Sequence, residues 1–207
     1  MAHSSLILKK GRKFDQVIEG ARTVFLRDGY EGASVDDIAR EAGVSKATLY
    51  SYFPDKRVLF LEIAALETRR QADAHEERLD VTDPPEIVLP AAGRKILDFV
   101  LSDFGIAVFR IAVAESARFP EIGQKFYDSG PGLLKERLSQ YLASWCAQGV
   151  LTIDDPELAA EQFAELCKVH LFPAHLFQGR IDVDEAERDR IIDSAVTLFL
   201  ARYGTRS

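Results

Sequence analysis

The chain has 207 residues, 47% of them hydrophobic, and a formal net charge of −7. That length fits one domain or two small ones, and the composition can build a buried core. No run of about 18 apolar residues occurs, which excludes a helical membrane span. The apolar Leu6-Ile7-Leu8 precedes its lysines, the reverse of a secretory signal, so a cytoplasmic location is expected.

The charge is unevenly spread. Residues 1–60 carry ten Lys and Arg against eight Asp and Glu, a net +2; residues 61–207 carry sixteen against twenty-five, a net −9. A basic end can face a polyanion while an acidic body faces away. Cys146 and Cys167 stand in no metal-type spacing and are expected to be buried free thiols, with no spacing to support a redox switch. No cofactor and no metal site is predicted.

In chain order, Met1 to Leu8 reads as a frayed tail, and Lys9 to Lys13 as a basic arm that is either solvated or touches DNA phosphates or the minor groove. A first helix is predicted from about Arg12 to Arg27, ending at Asp28-Gly29. Phe14, Val17, Ile18, Ala21, Val24 and Phe25 form its apolar stripe. Ser34 is an N-cap for a second helix, with Asp37 three residues on completing an approximate capping box. Ile38, Ala39 and Ala42 share one face of that helix, and Gly43 follows where a helix end wants positive φ. Ala39 is small where a second helix must cross, and Val44 plugs the corner. Ser45 caps a third helix whose apolar side is Leu49, Tyr52 and Phe53.

The stretch is therefore a helix-turn-helix, as against an ordinary corner in a helical bundle. The outward side of the third helix carries Lys46, Thr48, Tyr50 and Ser51, hydrogen-bonding residues with few acids among them. Ala47 is small enough to let the helix approach a base edge or a thymine methyl. A helix of eight residues is roughly 12 Å long, about the width of the major groove. Tyr52 can pack, reach a phosphate, or do both.

The run DDIAREAGVSKATLYSYFPDKRVLF, with Phe25 and Gly29-Tyr30 before it, resembles the TetR family of bacterial transcriptional repressors over roughly the first 60 residues. The resemblance implies DNA contacts at Ser34, Val44, Ser45, Lys46, Ala47, Tyr50, Tyr52 and Lys56, the last holding a phosphate; Thr48 and Ser51 join them from geometry. It implies an all-α fold of about nine helices. Residues 1–53 would be a three-helix DNA-binding head, and residues 54–207 a helical bundle for ligand binding and dimerisation.

A fourth helix is predicted from Pro54-Asp55 to about Leu79, roughly 37 Å, long enough to serve as a lever between head and body. Leu59, Phe60, Ile63, Ala64 and Leu66 pack its first half; beyond Glu67 it turns polar. After the prolines at 84 and 85, a fifth helix covers about Glu86 to Leu101, with Pro90 kinking its start. A sixth, Asp103 to Arg118, is apolar nearly all round and so expected to be central. A short helix covers Glu121 to Asp128, and Ser129-Gly130-Pro131-Gly132 reads as a turn. The seventh helix continues to Gln148, with Leu134, Leu138, Tyr141, Leu142 and Trp145 inward. The eighth starts at Asp155-Pro156, is kinked by Pro173 and ends before Gly179; the last covers Asp184 to Tyr203. No strand is expected.

A reader of two half-sites needs two-fold symmetry, so a homodimer through the last two helices is expected. Its residues would be Leu158, Phe163, Leu166, Leu171, Phe172, Leu176, Phe177, Ile191, Ile192, Ala195, Leu198 and Phe199. The resemblance also implies a pocket for a small-molecule effector, walled by Phe104, Val108, Phe109, Arg110, Ile111, Tyr141, Trp145, Cys167 and His170, with Glu115 and His175 as further polar groups. The partners expected are thus double-stranded DNA, a second copy and an unknown small molecule. Cys167 and His170, three apart on one predicted helix with His175 nearby, are the one hint of catalysis or metal binding. No third orienting group accompanies them. A helical adaptor whose head binds protein is another alternative, against which the hydrogen-bonding third helix argues. Repressor and activator share these residues.

Overall fold

The computed structural model describes residues 11–76, 83–179 and 182–205. Among them the chain folds into eleven helices: α1 (Arg12–Gly32), α2 (Val35–Glu41), α3 (Lys46–Tyr52), α4 (Lys56–Glu76), α5 (Pro85–Val100), α6 (Asp103–Ser116), α7 (Pro120–Ser129), α8 (Pro131–Ala147), α9 (Pro156–Lys168), α10 (Leu171–Gln178) and α11 (Glu185–Tyr203). The fold is all-α; the sole strand-like pairing among the described residues is a single antiparallel bridge between Leu151 and Gly204. Lys9 and Lys10 of the basic arm, and α4 beyond Glu76, lie outside the described residues; Arg12 and Lys13 are exposed at the start of α1.

The described residues form two compact units. The first runs to Glu67 and takes in Ala107–Gly123; the second comprises Thr68–Ile106 and Gln124–Ser207. Helices α4, α6 and α7 each contribute to both.

In the first unit the expected stripe of α1 is buried from Phe14 to Phe25, as are Ile38 of α2, Leu49 of α3 and Leu59, Phe60 and Ile63 of α4. Phe14 meets Phe53 at 5.6 Å and Tyr52 edge-on at 5.7 Å; Phe25 meets Phe60 edge-on at 5.0 Å. Gly20 is where α1 touches the end of α2. A Cβ there would lie 2.6 Å from the backbone nitrogen of Ala42 and 2.7 Å from its Cα. The predicted stop at Asp28-Gly29 appears as a break at Gly29 (φ 70), after which one more turn reaches Gly32. Arg22 pairs with Glu67, tying α1 to α4. Glu115, a buried carboxylate on α6, pairs with Arg57, which also holds Asp55 at 2.5 Å.

Two expectations about these helices need correction. Leu66 is 43% exposed, although it stands one turn from the buried Ile63 and two turns from the buried Leu59. Helix α6 is not apolar all round in its setting: Val113 is 60% exposed, and Arg110 and Ala114 are exposed with it.

In the second unit the core is Val88, Leu89 and Ile96 of α5, Leu138, Leu142 and Trp145 of α8, Phe163 and Cys167 of α9, and Ala195 and Phe199 of α11. Trp145 donates its indole N–H to the Asp83 carbonyl at 2.9 Å, so this large side chain is buried with its one polar atom satisfied. Leu133 rather than Leu134 is the fully buried leucine at the start of α8. The chain end is strapped to the α8–α9 connection: Thr152 N–H donates to Tyr203 O at 2.8 Å, and Thr205 N–H to Val150 O at 3.2 Å.

Prolines here start helices more than they bend them. Pro131 is the first residue of α8, so only Gly130 separates α7 from α8 where a four-residue turn was expected. The predicted eighth helix is two. It stops at Lys168, His170 takes φ 46, and α10 restarts at Leu171 with Pro173 in its first turn, where no intrahelical N–H is needed.

Candidate nucleic-acid interface

The α2–α3 corner is built by its own short-range hydrogen bonds. Ser34 Oγ accepts from Asp37 N–H at 3.0 Å and donates to the Asp37 carboxylate at 2.5 Å. The box thus closes through the serine hydroxyl. Asp37 is held below the usual carboxylate range by that bond and by Arg40. Ala42 N–H reaches Ile38 O, Gly43 turns the chain at φ 64, and Val44 N–H returns to Ala39 O at 3.0 Å. Ser45 then repeats the cap, accepting from Thr48 N–H at 3.0 Å with its hydroxyl 2.9 Å from that of Thr48. Leu49 is wholly buried beneath α3 and Val44 is half-buried in the corner.

What α3 leaves outside is a short polar face. Ser45, Lys46, Ala47, Tyr50 and Ser51 are exposed, and Ser34 and Thr48 are half-buried. Seven residues give α3 a length of roughly 10 Å, which fits within a major groove about 12 Å wide. Ser51 already donates its hydroxyl to Thr48 O at 2.6 Å, so its oxygen is left to accept. Tyr52 is half-buried against Phe14, which favours packing among its readings. Lys56 donates to Tyr30 O at 2.8 Å and to Ala33 O at 3.0 Å and lies 4.2 Å from the centre of the Tyr30 ring. Two of its three N–H groups thus close the end of α1 onto α4.

Sequence reading missed Asp36. It stands in the first turn of α2, and its carboxylate meets Lys46 Nζ at 2.6 Å, raising the Lys46 ammonium above its ordinary pKa. Ten positions separate the two, and only the folded corner brings them together.

The residues expected to wall an effector pocket are divided. Val108, Phe109, Arg110 and Ile111 belong to the first unit and Phe104, Tyr141, Trp145, Cys167 and His170 to the second. Trp145 and Cys167 are enclosed in the core, and burial pushes the Cys167 thiol up to about 12. Arg110 and His170 are exposed, against expectation, while Phe104, Phe109 and Tyr141 are half-buried. Cys167 and His170 no longer share a helix, since α9 ends between them. His170 instead lies 3.4 Å from Glu187 of α11. Among the described residues no group of three or more His, Cys, Asp or Glu could hold a metal ion, and no helix is long and apolar enough to cross a membrane.

Of the residues expected at a dimer interface, Phe163, Leu171, Ile191, Ile192, Ala195 and Phe199 are buried within the chain itself. Leu158 and Leu198 remain outside, 50% and 56% exposed. With Leu166 and Val169 they line an apolar groove of about 610 Å³ along α9 and α11, edged by Glu161, Glu165 and Arg202. Phe177, at the end of α10, is 83% exposed.

Residues 17–63 match the bacterial regulatory proteins of the tetR family, and residues 87–205 match the C-terminal domain of AefR-like transcriptional repressors. The chain belongs to the TetR family. As in that family, it is a DNA-binding transcriptional regulator, with a helix-turn-helix head and a helical C-terminal region. Among TetR-family structures, one from Mesorhizobium loti is 26% identical with a TM-score of 0.77, covering 94% of this chain and 98% of that one. The flavonoid-responsive regulator FrrA is 35% identical with a TM-score of 0.68, covering 96% and 100%. Among curated relatives, the transcriptional repressor AcnR of Corynebacterium efficiens is 37% identical over 62 residues, 30% of this chain. The activator FasR of Mycolicibacterium smegmatis is 31% identical over 96 residues, 46% of this chain. The match spans 33% of AcnR and 44% of FasR.

Proposed function

We propose that this TetR-family regulator is a repressor that binds a near-palindromic operator as a homodimer and is released by a small hydrophobic effector. The observation that carries the DNA part is α3 itself. Its inner side is anchored by Leu49, and its outer side presents Lys46, Ala47, Tyr50 and Ser51 beside two capped helix N-termini able to hold phosphates. On this reading Ser34, Val44, Ser45, Lys46, Ala47, Thr48, Tyr50, Ser51, Tyr52 and Lys56 make the contacts, with Lys56 using its third N–H. The likeness of residues 87–205 to AefR-like repressors supports repression, although FasR is named an activator.

The apolar groove edged by charge along α9 and α11 supports docking of a second copy there. Two half-sites about 34–36 Å apart then match two recognition helices. FrrA, similar over nearly the whole chain, is by name flavonoid-responsive; the effector proposed is a planar aromatic compound of that kind. Phe104 and Tyr141, half-buried aromatics of the second unit, are candidates to touch it. Release follows if the effector favours a position of α4 that changes the spacing of the two heads, by about 1.4 kcal/mol for each tenfold loss of DNA affinity.

Selection of bound fragments from random duplex DNA tests the reading, with Lys46→Ala and Tyr50→Ala alongside wild type. An enriched near-palindrome, lost or relaxed in both variants, is expected. Weak binding without enrichment that vanishes as salt rises would refute sequence reading by the unliganded protein. Light scattering tests the dimer: a particle of one 23.1 kDa chain at micromolar concentration would refute it. A planar flavonoid such as the flavone apigenin is expected to raise the unfolding temperature and dissociate the operator complex.

A further inference from the structure

The DNA-facing corner carries a carboxylate where phosphates would have to come. Asp36 lies in the first turn of α2, and its side chain, 66% exposed, meets the Lys46 ammonium at 2.6 Å. The fold does not need it there. Ser34 and Asp37 close the α2 cap without Asp36, and a solvent-exposed ion pair adds little to stability. A negative charge in the first turn suits the helix dipole, but Asp37 already supplies one.

We propose that Asp36 is a positioning residue for DNA recognition, which sets the sequence specificity of Lys46. Three consequences of the geometry support this. The carboxylate takes one of the three Lys46 N–H groups, so the ammonium is held at the mouth of α3 rather than sweeping over nearby phosphates. It cancels the Lys46 charge as seen from a distance, which weakens the sequence-independent attraction to any duplex. The N–H groups left can still donate to the O6 and N7 acceptors of a guanine, a contact that only the right base supplies. Asp36 thus acts against wrong sites more than for the right one, and discrimination is a difference of affinities. Arg40, the nearest basic residue of α2, is itself paired with Asp37 and does not compete for Asp36.

This inference rests on the DNA-reading function proposed above. Its test uses the full chain as wild type, Asp36→Asn, Lys46→Gln and the double variant. Each is titrated with the selected operator duplex and with a scrambled duplex of equal length, between 50 and 200 mM KCl. Asp36→Asn is expected to tighten binding to the scrambled duplex about fivefold at the lowest salt and to change operator binding less than about twofold. Its salt slope should steepen by about one, as Lys46 becomes a further phosphate contact. In the Lys46→Gln background the same substitution should leave the operator-to-scrambled ratio unchanged. Unfolding temperatures of the four proteins should coincide, which separates positioning from damage to the fold. An unchanged ratio in Asp36→Asn, or an equal change with and without Lys46, overturns the proposal while leaving the DNA-reading function in place. A wild type that does not distinguish the two duplexes overturns both.

Discussion

Replacing Gly20 with alanine tests how the helix-turn-helix is seated. Gly20 is in the middle of α1, and the missing Cβ would stand 2.6 Å from Ala42 N and 2.7 Å from Ala42 Cα and Cβ. Carbon contacts settle at about 3.5–4.0 Å, so α1 and the corner would have to part by about 1 Å. No rotamer change relieves this, because the atoms met are the backbone and Cβ of an alanine. Overpacking of this kind costs about 1–3 kcal/mol, and alanine returns about 0.8–1.0 kcal/mol through its better helix propensity. The net loss is then about 0–2 kcal/mol, which at this chain length lowers the unfolding temperature by at most about 8 °C. The displaced α2 carries Ser34 and sets the angle of α3, so operator affinity should fall at least about tenfold, or 1.4 kcal/mol. Scanning calorimetry and a binding titration measure both. The control is Gly32→Ala, whose added Cβ meets Asp28 Cβ at 3.4 Å, an ordinary contact; it should be near neutral. A Gly20→Ala protein with wild-type stability and wild-type operator binding would refute the close approach.

Other outcomes follow from the same geometry. Iodoacetamide should modify Cys146 in the native protein and Cys167 only after denaturation, because Cys167 is wholly buried with its thiol pushed up to about 12; mass spectrometry of native Cys167 carrying the label would refute its enclosure. Leu198→Glu places a charge in the apolar groove and should halve the particle mass seen by light scattering without lowering helix content. Asp55 is held below the ordinary carboxylate pKa chiefly by its hydrogen bond from Arg57, against a smaller opposing push from burial. Its contribution is therefore present above about pH 4 and is lost as pH falls further. Arg57→Met should be less stable at neutral pH and lose less on acidification; parallel pH profiles would argue against the pairing.

The head was legible because it is written locally. Ser34 with Asp37, Gly43, and Ser45 with Thr48 are hydrogen-bonding or turn residues that act within four positions of themselves, so order along the chain already contains the geometry. The same holds for the apolar stripe of α1. What local order does not contain is the partner found at long range. Lys56 gives no sign in local order that the carbonyls of Tyr30 and Ala33, more than twenty positions earlier, take two of its N–H groups. Nothing in local order pairs Asp36 with Lys46, which only the folded corner brings to it. Nor does local order show that Ala42 comes close enough to Gly20 to need its missing side chain.

The body was legible in its segments and not in their assignments, for a related reason. Periodicity reports that a helix has an apolar side but not what covers that side. Phe163, Ile192 and Phe199 could serve a core or an interface equally well in sequence; α5, α8, α9 and α11 pack together and enclose them, leaving Leu158 and Leu198 outside. The break at His170 was missed because the visible signal, Pro173, lies downstream of it. A proline excludes the helical hydrogen bond to the carbonyl four residues earlier, so the interruption falls in the preceding turn, at Val169 and His170. That break also decides the chemistry. A continuous helix would have put Cys167 and His170 on one face as a candidate pair. The interrupted one buries the thiol in the core and sends the imidazole to Glu187, which removes the arrangement on which a catalytic reading depended.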